Sequence, residues 1–367
     1  VCSCLATEEV VMRLGHWRRK ALGGALALLV GGSSLAQGAT PASGTVERLR
    51  IVGGLAGVNQ YVRHEEPFWA RELPRLTGGR ASAEIVPFDR AGLRGQEMIR
   101  LVQLGAVPFG TLLLAVSAAQ EPELAAPDLA GLSPDFAALK RIVEAYRPRA
   151  QALLRERYGI ELLALYVYPA QATFCAKPIA GLADLAGRRI RVSSPTQADW
   201  VAALGATPVQ TTFSEIVANL RHGNIDCAIT GTMSGNTIGL HEVTTHLHPM
   251  PVGWGLAAFV ANRDAWQALS TETRAMLSRE LPRLESAIWA ESERETGEGV
   301  ACNTGSAGCV SGRRGRMTLV TPTPADDTRR QHILRTAVLP GWVQRCGAAC
   351  IPAWQSTIGR ATGIDPF

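Results

Sequence analysis

Arg191 is the residue whose type and place most demand a chemical explanation. It stands in "GRRIRVSSP", Gly187–Pro195, between Ile190 and Val192, a pattern that predicts a β-strand. Arg188 and Arg189 can reach water where the strand begins. Arg191 comes later, where the chain approaches a buried edge. A planar guanidinium offers a carboxylate two parallel hydrogen bonds. Ser194 and Pro195 predict an N-cap and the first position of the next helix, whose dipole also favours an anion. Cation and helix start together mark the C-terminal end of a strand, where open α/β sheets hold ligands. The competing reading is an arginine paired with an internal Asp or Glu.

Other groups invite catalysis or metal binding, and their spacing argues against it. "HEVTTHLH", His241–His248, is not H-E-x-x-H, because the second histidine follows the first by five residues. On a helix that rotates it about 140° away, off the same face. His246 and His248 can share a strand face, but surface or loop histidines are the reading adopted. "GTMSG", Gly231–Gly235, lacks the G-x-S-x-G spacing of a nucleophile elbow. No Walker A motif is present. "IVGGLAG", Ile51–Gly57, lacks G-x-G-x-x-G, so Gly53 and Gly54 read as sites of close backbone approach to a ligand rather than a nucleotide loop. No cofactor is expected.

The chain has 367 residues, 46% hydrophobic and 19% charged, an ordinary globular composition for about two domains. Arg13, Arg18, Arg19 and Lys20, then "ALGGALALLV" and the small residues Ser34–Ala36, read as a secretion signal over 1–36, with 1–11 as an upstream extension. "WRRKAL" is a poor match to a twin-arginine signal, so the export route stays open. The net charge of +5 is too weak to argue for nucleic acid or an anionic membrane, and no later run is apolar enough to span a bilayer. With three lysines among 37 basic residues, arginine is the default cation here, so Arg191 must be judged by position.

Cys175, Cys227, Cys302, Cys309, Cys346 and Cys350 follow the leader, and an even count in an exported chain permits disulfides. Cys302–Cys309, across the Gly-rich "NTGSAG", is favoured. Cys346–Cys350 is near the geometric limit for residues four apart on a helix. Without a C-x-x-C pair, zinc is the weaker alternative.

The first half alternates strand and helix: "RLRIVG", "EEPFWARELPRLTGG", "ASAEIVPF", "GQEMIRLVQLG", a helix over Phe136–Tyr158, and "IELLALYVY". Beyond Arg191, "TPVQT" is a strand, "TFSE" has capping-box spacing before "EIVANLRH", and "IDCAIT" is a strand. Thr271–Thr296 carries one long helical pattern of about 39 Å, long enough to brace two lobes, with Pro282 as a place to bend.

The segment from "GRRIRV" through "ALGATPVQTTFSEIVANLRHGNID" resembles the substrate-binding proteins of tripartite ATP-independent periplasmic (TRAP) transporters, the DctP-type family. The family's "G-x-K-I-R-V-P", "L-G-A-x-P-V" and "F-S-E-V-Y-x-A-L-Q-x-G-x-V-D-G" appear in the same order, with one residue fewer in the helix after Arg191. "LTGGRASAEIVPF", "GQEMIRLVQLGAVPFG" and "FCAKPIAGLADLAG" extend the likeness over most of the chain after the leader.

The resemblance implies an α/β, two-lobed periplasmic binding protein fold (type II-like), with hinge strands and a long helix bridging both lobes. It places 45–168 plus about 256–296 in one lobe and 169–255 plus about 297–367 in the other. It implies that Arg191 pairs with a ligand carboxylate and that Phe213 packs on the ligand. It also brings Thr230, Thr232, Gln96 and Trp254 into the candidate cleft, Trp254 having core packing as its alternative. Two departures stand out. "DCAITGT", Asp226–Thr232, replaces the family's "D-G-x-E-N-P", and "YPAQATF" lacks the arginine of its "G-F-R". The second carboxylate anchor is therefore in doubt. The implied function is non-enzymatic: an exported receptor, not membrane-embedded, that hands a small organic anion to the membrane permease subunits of a TRAP transporter. A periplasmic sensor docking on a signalling receptor and a periplasmic hydrolase are the rival readings.

Overall fold

The computed structural model describes residues 46–365. The leader segment lies outside the described residues.

Among the described residues, eleven strands form two sheets. We number them β1 (Glu47–Gly53), β2 (Ala81–Pro87), β3 (Phe109–Leu113), β4 (Ile160–Val167), β5 (Gln171–Cys175), β6 (Arg189–Val192), β7 (Thr207–Gln210), β8 (Cys227–Gly231), β9 (His246–Gly253), β10 (Leu256–Asn262) and β11 (Thr318–Leu319). The first sheet has the order β2-β1-β3-β10-β4 and the second β11-β9-β5-β8-β6-β7. β1 runs parallel to β2 and β3, and β6 runs parallel to β7 and β8, as expected of β-α-β units. β10 is antiparallel to β3 and β4, and β5 is antiparallel to β8 and β9.

The chain passes between the sheets from β4 to β5 and returns from β9 to β10. These short crossings are the hinge strands of a two-lobed, type II-like α/β fold. β5, β9 and β10 lacked clear strand signals in the sequence. β10, "LAAFVAN", lies between β3 and β4 and is buried on both faces, so it carries no polar alternation.

Helix α1 (Phe136–Tyr158) matches its predicted bounds. Asp135 caps it and Gly159, with φ 64°, ends it. Helix α2 (Pro195–Ala203) starts where Ser194 accepts a hydrogen bond from the Gln197 amide at 3.1 Å. The predicted capping box forms between Thr212 and Glu215.

The long helix α3 spans Thr271–Thr304, eight residues beyond the predicted run, and contains Pro282. It supplies partners for the open edge of β4. Glu285 accepts from Leu165 N at 2.8 Å, Trp289 Nε1 donates to Leu165 O at 2.7 Å, and Ser292 Oγ donates to Val167 O at 2.6 Å. Its far end belongs to the other lobe, where Asn303 Nδ2 donates to Thr232 O at 2.9 Å. One helix thus grips both lobes.

The C-terminal helices also touch both sides of the hinge. Trp342 Nε1 donates to Pro122 O at 2.8 Å, and Arg345 pairs with Asp199 of α2.

Among the described residues, three disulfides close loops: Cys302–Cys309, Cys346–Cys350 and Cys175–Cys227. The third joins residues directly opposite each other on β5 and β8. Sequence reasoning did not pair these two, because their meeting depends on strand register. The histidine reading needs correction. His248, on β9, is buried, and its Nε2 lies 3.7 Å from Asp326 Oδ2. Burial lowers its pKa against the pull of Asp326.

Candidate functional site

A cleft of about 530 Å³ lies between the sheets. Leu55, Leu93, Leu113, Val116, Phe213 and Leu256 form much of its apolar wall. Of the residues singled out in the sequence, Arg191, Phe213, Thr230 and Gln96 line it.

Arg191 is 4% exposed and pairs in register with Val209 of β7 and Ala228 of β8. Nε and Nη2 donate to Thr211 O, just past β7, at 3.2 and 3.1 Å. Nη1 donates to Ile229 O of β8 at 2.9 Å. Three of five N–H groups are thereby used, and two remain. No carboxylate pairs with Arg191 among the described residues, so the internal-acid alternative does not hold. Peptide oxygens, not an acidic side chain, hold the guanidinium in place. Burial, with no anion to oppose it, lowers its pKa to about 10. The group therefore stays cationic at neutral pH.

Thr230 follows Ile229 on β8 and is buried. Its hydroxyl and that of Ser234, also in the cleft wall, make no hydrogen bond among the described residues. Phe213 reaches from the second lobe and packs on apolar residues of both lobes. Gln96 is at the exposed rim, beside Arg94.

Four expected residues are elsewhere. Thr232 donates its hydroxyl to Glu295 O and Thr296 O of α3, at 3.2 and 3.0 Å. Trp254 is core. Its indole donates to Ser133 O at 3.1 Å and meets Phe136 edge-on. Gly53 and Gly54 do answer to close approach, but of protein side chains. A Cβ on Gly53 would lie 2.7 Å from Tyr61, and one on Gly54 would lie 2.6 Å from Glu65 Oε1.

Sequence reasoning missed Tyr168, Gln171, Ser193 and Ser234, all of which line the cleft. Tyr168 and Gln171 flank the crossing from β4 to β5, which had no signal before the second sheet was known. The absent arginine of "YPAQATF" pointed to this stretch without saying what replaced it.

Beneath the cleft, Glu65 is buried. Its Oε2 accepts from Gly54 N at 2.9 Å and Thr111 Oγ1 at 3.2 Å, and its Oε1 has no partner. Burial outweighs these bonds and pushes the carboxyl up to about 7. Asp128 accepts from the amides of Trp254 and Gly255 at 2.9 and 2.8 Å, which fixes the returning hinge. No group of three or more His, Cys, Asp or Glu is arranged to hold a metal among the described residues. The cleft can thus bind an anion at one buried cation, with hydroxyl and amide groups around it and an apolar body above.

A family model for bacterial extracellular solute-binding proteins, family 7 (DctP), matches residues 57–301. Among curated proteins, the chain is 30% identical over 125 residues to the ectoine-binding periplasmic protein TeaA of Halomonas elongata, covering 34% of this chain and 37% of the relative. It is 25% identical over 211 residues to the C4-dicarboxylate-binding periplasmic protein DctP of Rhodobacter capsulatus, covering 56% and 62%. The matched segments thus span less than two thirds of either relative.

Solved structures cover more. DctP7, a Bordetella pertussis extracytoplasmic solute receptor binding pyroglutamic acid, superposes with a TM-score of 0.76 at 22% identity, over 85% of this chain and 99% of that one. A TRAP periplasmic solute-binding protein from Desulfovibrio salexigens with bound orotic acid gives 0.74 at 18%, over 86% and 99%. At these identities the likeness is one of fold.

Proposed function

Since the chain belongs to bacterial extracellular solute-binding protein family 7, we propose that it is a periplasmic receptor that captures a small organic anion through a carboxylate and delivers it to a TRAP membrane permease. The observation that carries this reading is Arg191, a cation 4% exposed in the cleft wall with no carboxylate partner among the described residues. Burying such a charge is costly unless an anion compensates it. Its two remaining N–H groups suit the two oxygens of a carboxylate. The N-cap of α2, Ser194, lies three residues after Arg191, and the helix start adds a favourable dipole. Pyroglutamic and orotic acid, bound by the two solved relatives, are themselves carboxylic acids. Phe213, Thr230 and Gln96 are the further contacts we assign to the ligand. Phe213, which packs on apolar residues of both lobes, supplies an apolar face to the ligand.

Native mass spectrometry of freshly purified protein, followed by calorimetry with the co-purified molecule, tests the reading. A carboxylic acid lost from Arg191→Ala supports it. A neutral or cationic ligand, or one retained by Arg191→Ala, overturns it. The permease assignment is tested by uptake of that molecule in cells with and without TRAP membrane subunits.

A further inference from the structure

Gln171 lines the cleft two strands away from Arg191, with β8 between them. Which end of its amide faces the ligand is fixed by a relay that begins at a peptide group. A backbone N–H can only donate. Ser193 N donates to Gln197 Oε1 at 2.9 Å, and the Ser193 hydroxyl lies 3.1 Å from the same oxygen. The opposite end of Gln197 is therefore its NH2 group, which donates to Gln171 Oε1 at 2.6 Å. The oxygen of Gln171 is thus occupied. Its NH2 group has no partner among the described residues. It lies against Gly255, also in the cleft wall, where a Cβ would come within 2.6 Å of Nε2.

The cleft therefore presents two different recognition points. One is the buried cation Arg191. The other is a neutral double donor, held in one orientation by Gln197, which is itself 5% exposed. The remaining cation in the wall among the described residues, Arg94, is exposed at the rim near Glu97. A second carboxylate at Gln171 would lose its water without gaining a cation. An uncharged oxygen there would accept an amide N–H at far smaller cost.

We propose that Gln171 is a specificity-determining residue and that the ligand class is a small carboxylate whose other end carries an uncharged hydrogen-bond acceptor, such as a lactam or amide carbonyl, in preference to a dicarboxylate. This rests on the carboxylate reading of Arg191. Gln197 is the positioning residue that acts through Gln171.

The test is calorimetry with matched sets of small carboxylates, such as pyroglutamate, cyclopentanecarboxylate and glutarate. In wild type, the carbonyl-bearing member is expected to bind about tenfold tighter than the other two. Gln171→Leu should abolish that preference, and Gln171→Arg should turn it towards the dicarboxylate. Gln197→Leu frees the Gln171 amide to rotate, so it should narrow the preference while leaving carboxylate binding in place. A wild type that prefers dicarboxylates, or a preference that survives both leucine variants, overturns the inference while the Arg191 reading stands. If no member of any set binds wild type, the carboxylate reading fails and this inference falls with it.

Discussion

The carbonyl oxygen of Thr211 takes two donors from one side chain, Nε of Arg191 at 3.2 Å and Nη2 at 3.1 Å. Together with the bond to Ile229 O at 2.9 Å, this ties the guanidinium to both strands that flank β6. The side chain is thus preorganised before a ligand arrives, which lowers the ordering cost of binding.

This geometry sets the outcome for Arg191→Ala. Ligand affinity should fall by about two orders of magnitude or more, since hydrogen bonds to charged groups contribute roughly 1.5–3 kcal/mol each. Stability should fall modestly, by about 1–3 kcal/mol, because two peptide oxygens lose partners while a buried cation is also removed. Arg191→Lys should recover part of the affinity, because a point charge cannot reproduce the fork. Calorimetric affinity and melting of the ligand-free proteins check both parts. A larger stability loss with affinity intact would remove Arg191 from the site.

Glu65 predicts a pH dependence. Its carboxyl is raised from 4.5 to about 7 by burial, so the folded protein holds a proton that the unfolded chain has released. The associated stability is fully present below pH 4.5 and is lost as pH rises towards 7. The slope is about 1.4 kcal/mol per pH unit for each such proton. Glu295 is also raised to about 7 and Asp128 to about 6, so they add to the same trend. Glu65→Gln should flatten the fall by one proton and be more stable than wild type at pH 8. Urea midpoints from pH 5 to pH 8 read this directly. An unchanged slope would mean that Glu65 is ionised in the folded state.

The cross-strand disulfide Cys175–Cys227 closes a loop with a sequence separation of 52 residues, against 7 for Cys302–Cys309. On the loop-entropy model these contribute about 4 and about 2.5 kcal/mol. Replacing Cys175 and Cys227 by alanine together should therefore lower the melting temperature more than replacing Cys302 and Cys309. Equal losses would point to native-state packing rather than unfolded-chain entropy as the source.

These sites differ in how far the sequence shows them. Arg191 was legible because a charge in an apolar strand, just before Ser194 and Pro195, conflicts with local patterning. The capping box at Thr212 and Glu215 was legible because it is wholly local. Gln171 was not, because its role depends on Gln197 and Ser193, which reach it only after β5 joins the second sheet. Cys175 and Cys227 needed the antiparallel register of β5 and β8. Thr232 and Trp254 were misplaced for a related reason. Each stands near the cleft in sequence, yet the pleat and the long helix turn their side chains into the frame.

The long helix α3 yields the last prediction through two glycines that differ only in surroundings. A Cβ on Gly299 would lie 2.3 Å from Met233 N and 2.5 Å from the Thr232 carbonyl carbon, both backbone atoms that cannot rotate away. The same contact carries the bonds from Thr232 Oγ1 to α3 and from Asn303 to Thr232 O. Gly299→Ala must therefore push α3 off the second lobe, while Glu285, Trp289 and Ser292 still hold it to β4 of the first. Overpacking of this kind costs about 1–3 kcal/mol, and more where backbone must move. Because α3 grips both lobes, ligand affinity should fall as well, although Gly299 is not in the cleft wall. At Gly297, two residues earlier on the exposed side, an added Cβ meets nothing within 4 Å. Gly297→Ala should stabilise by about 0.5–1 kcal/mol through helix propensity, with binding unchanged. Thermal melts and calorimetry on the two variants separate the effects. If Gly299→Ala weakened stability without touching affinity, α3 would be a packing element of one lobe rather than a brace that sets how the lobes meet.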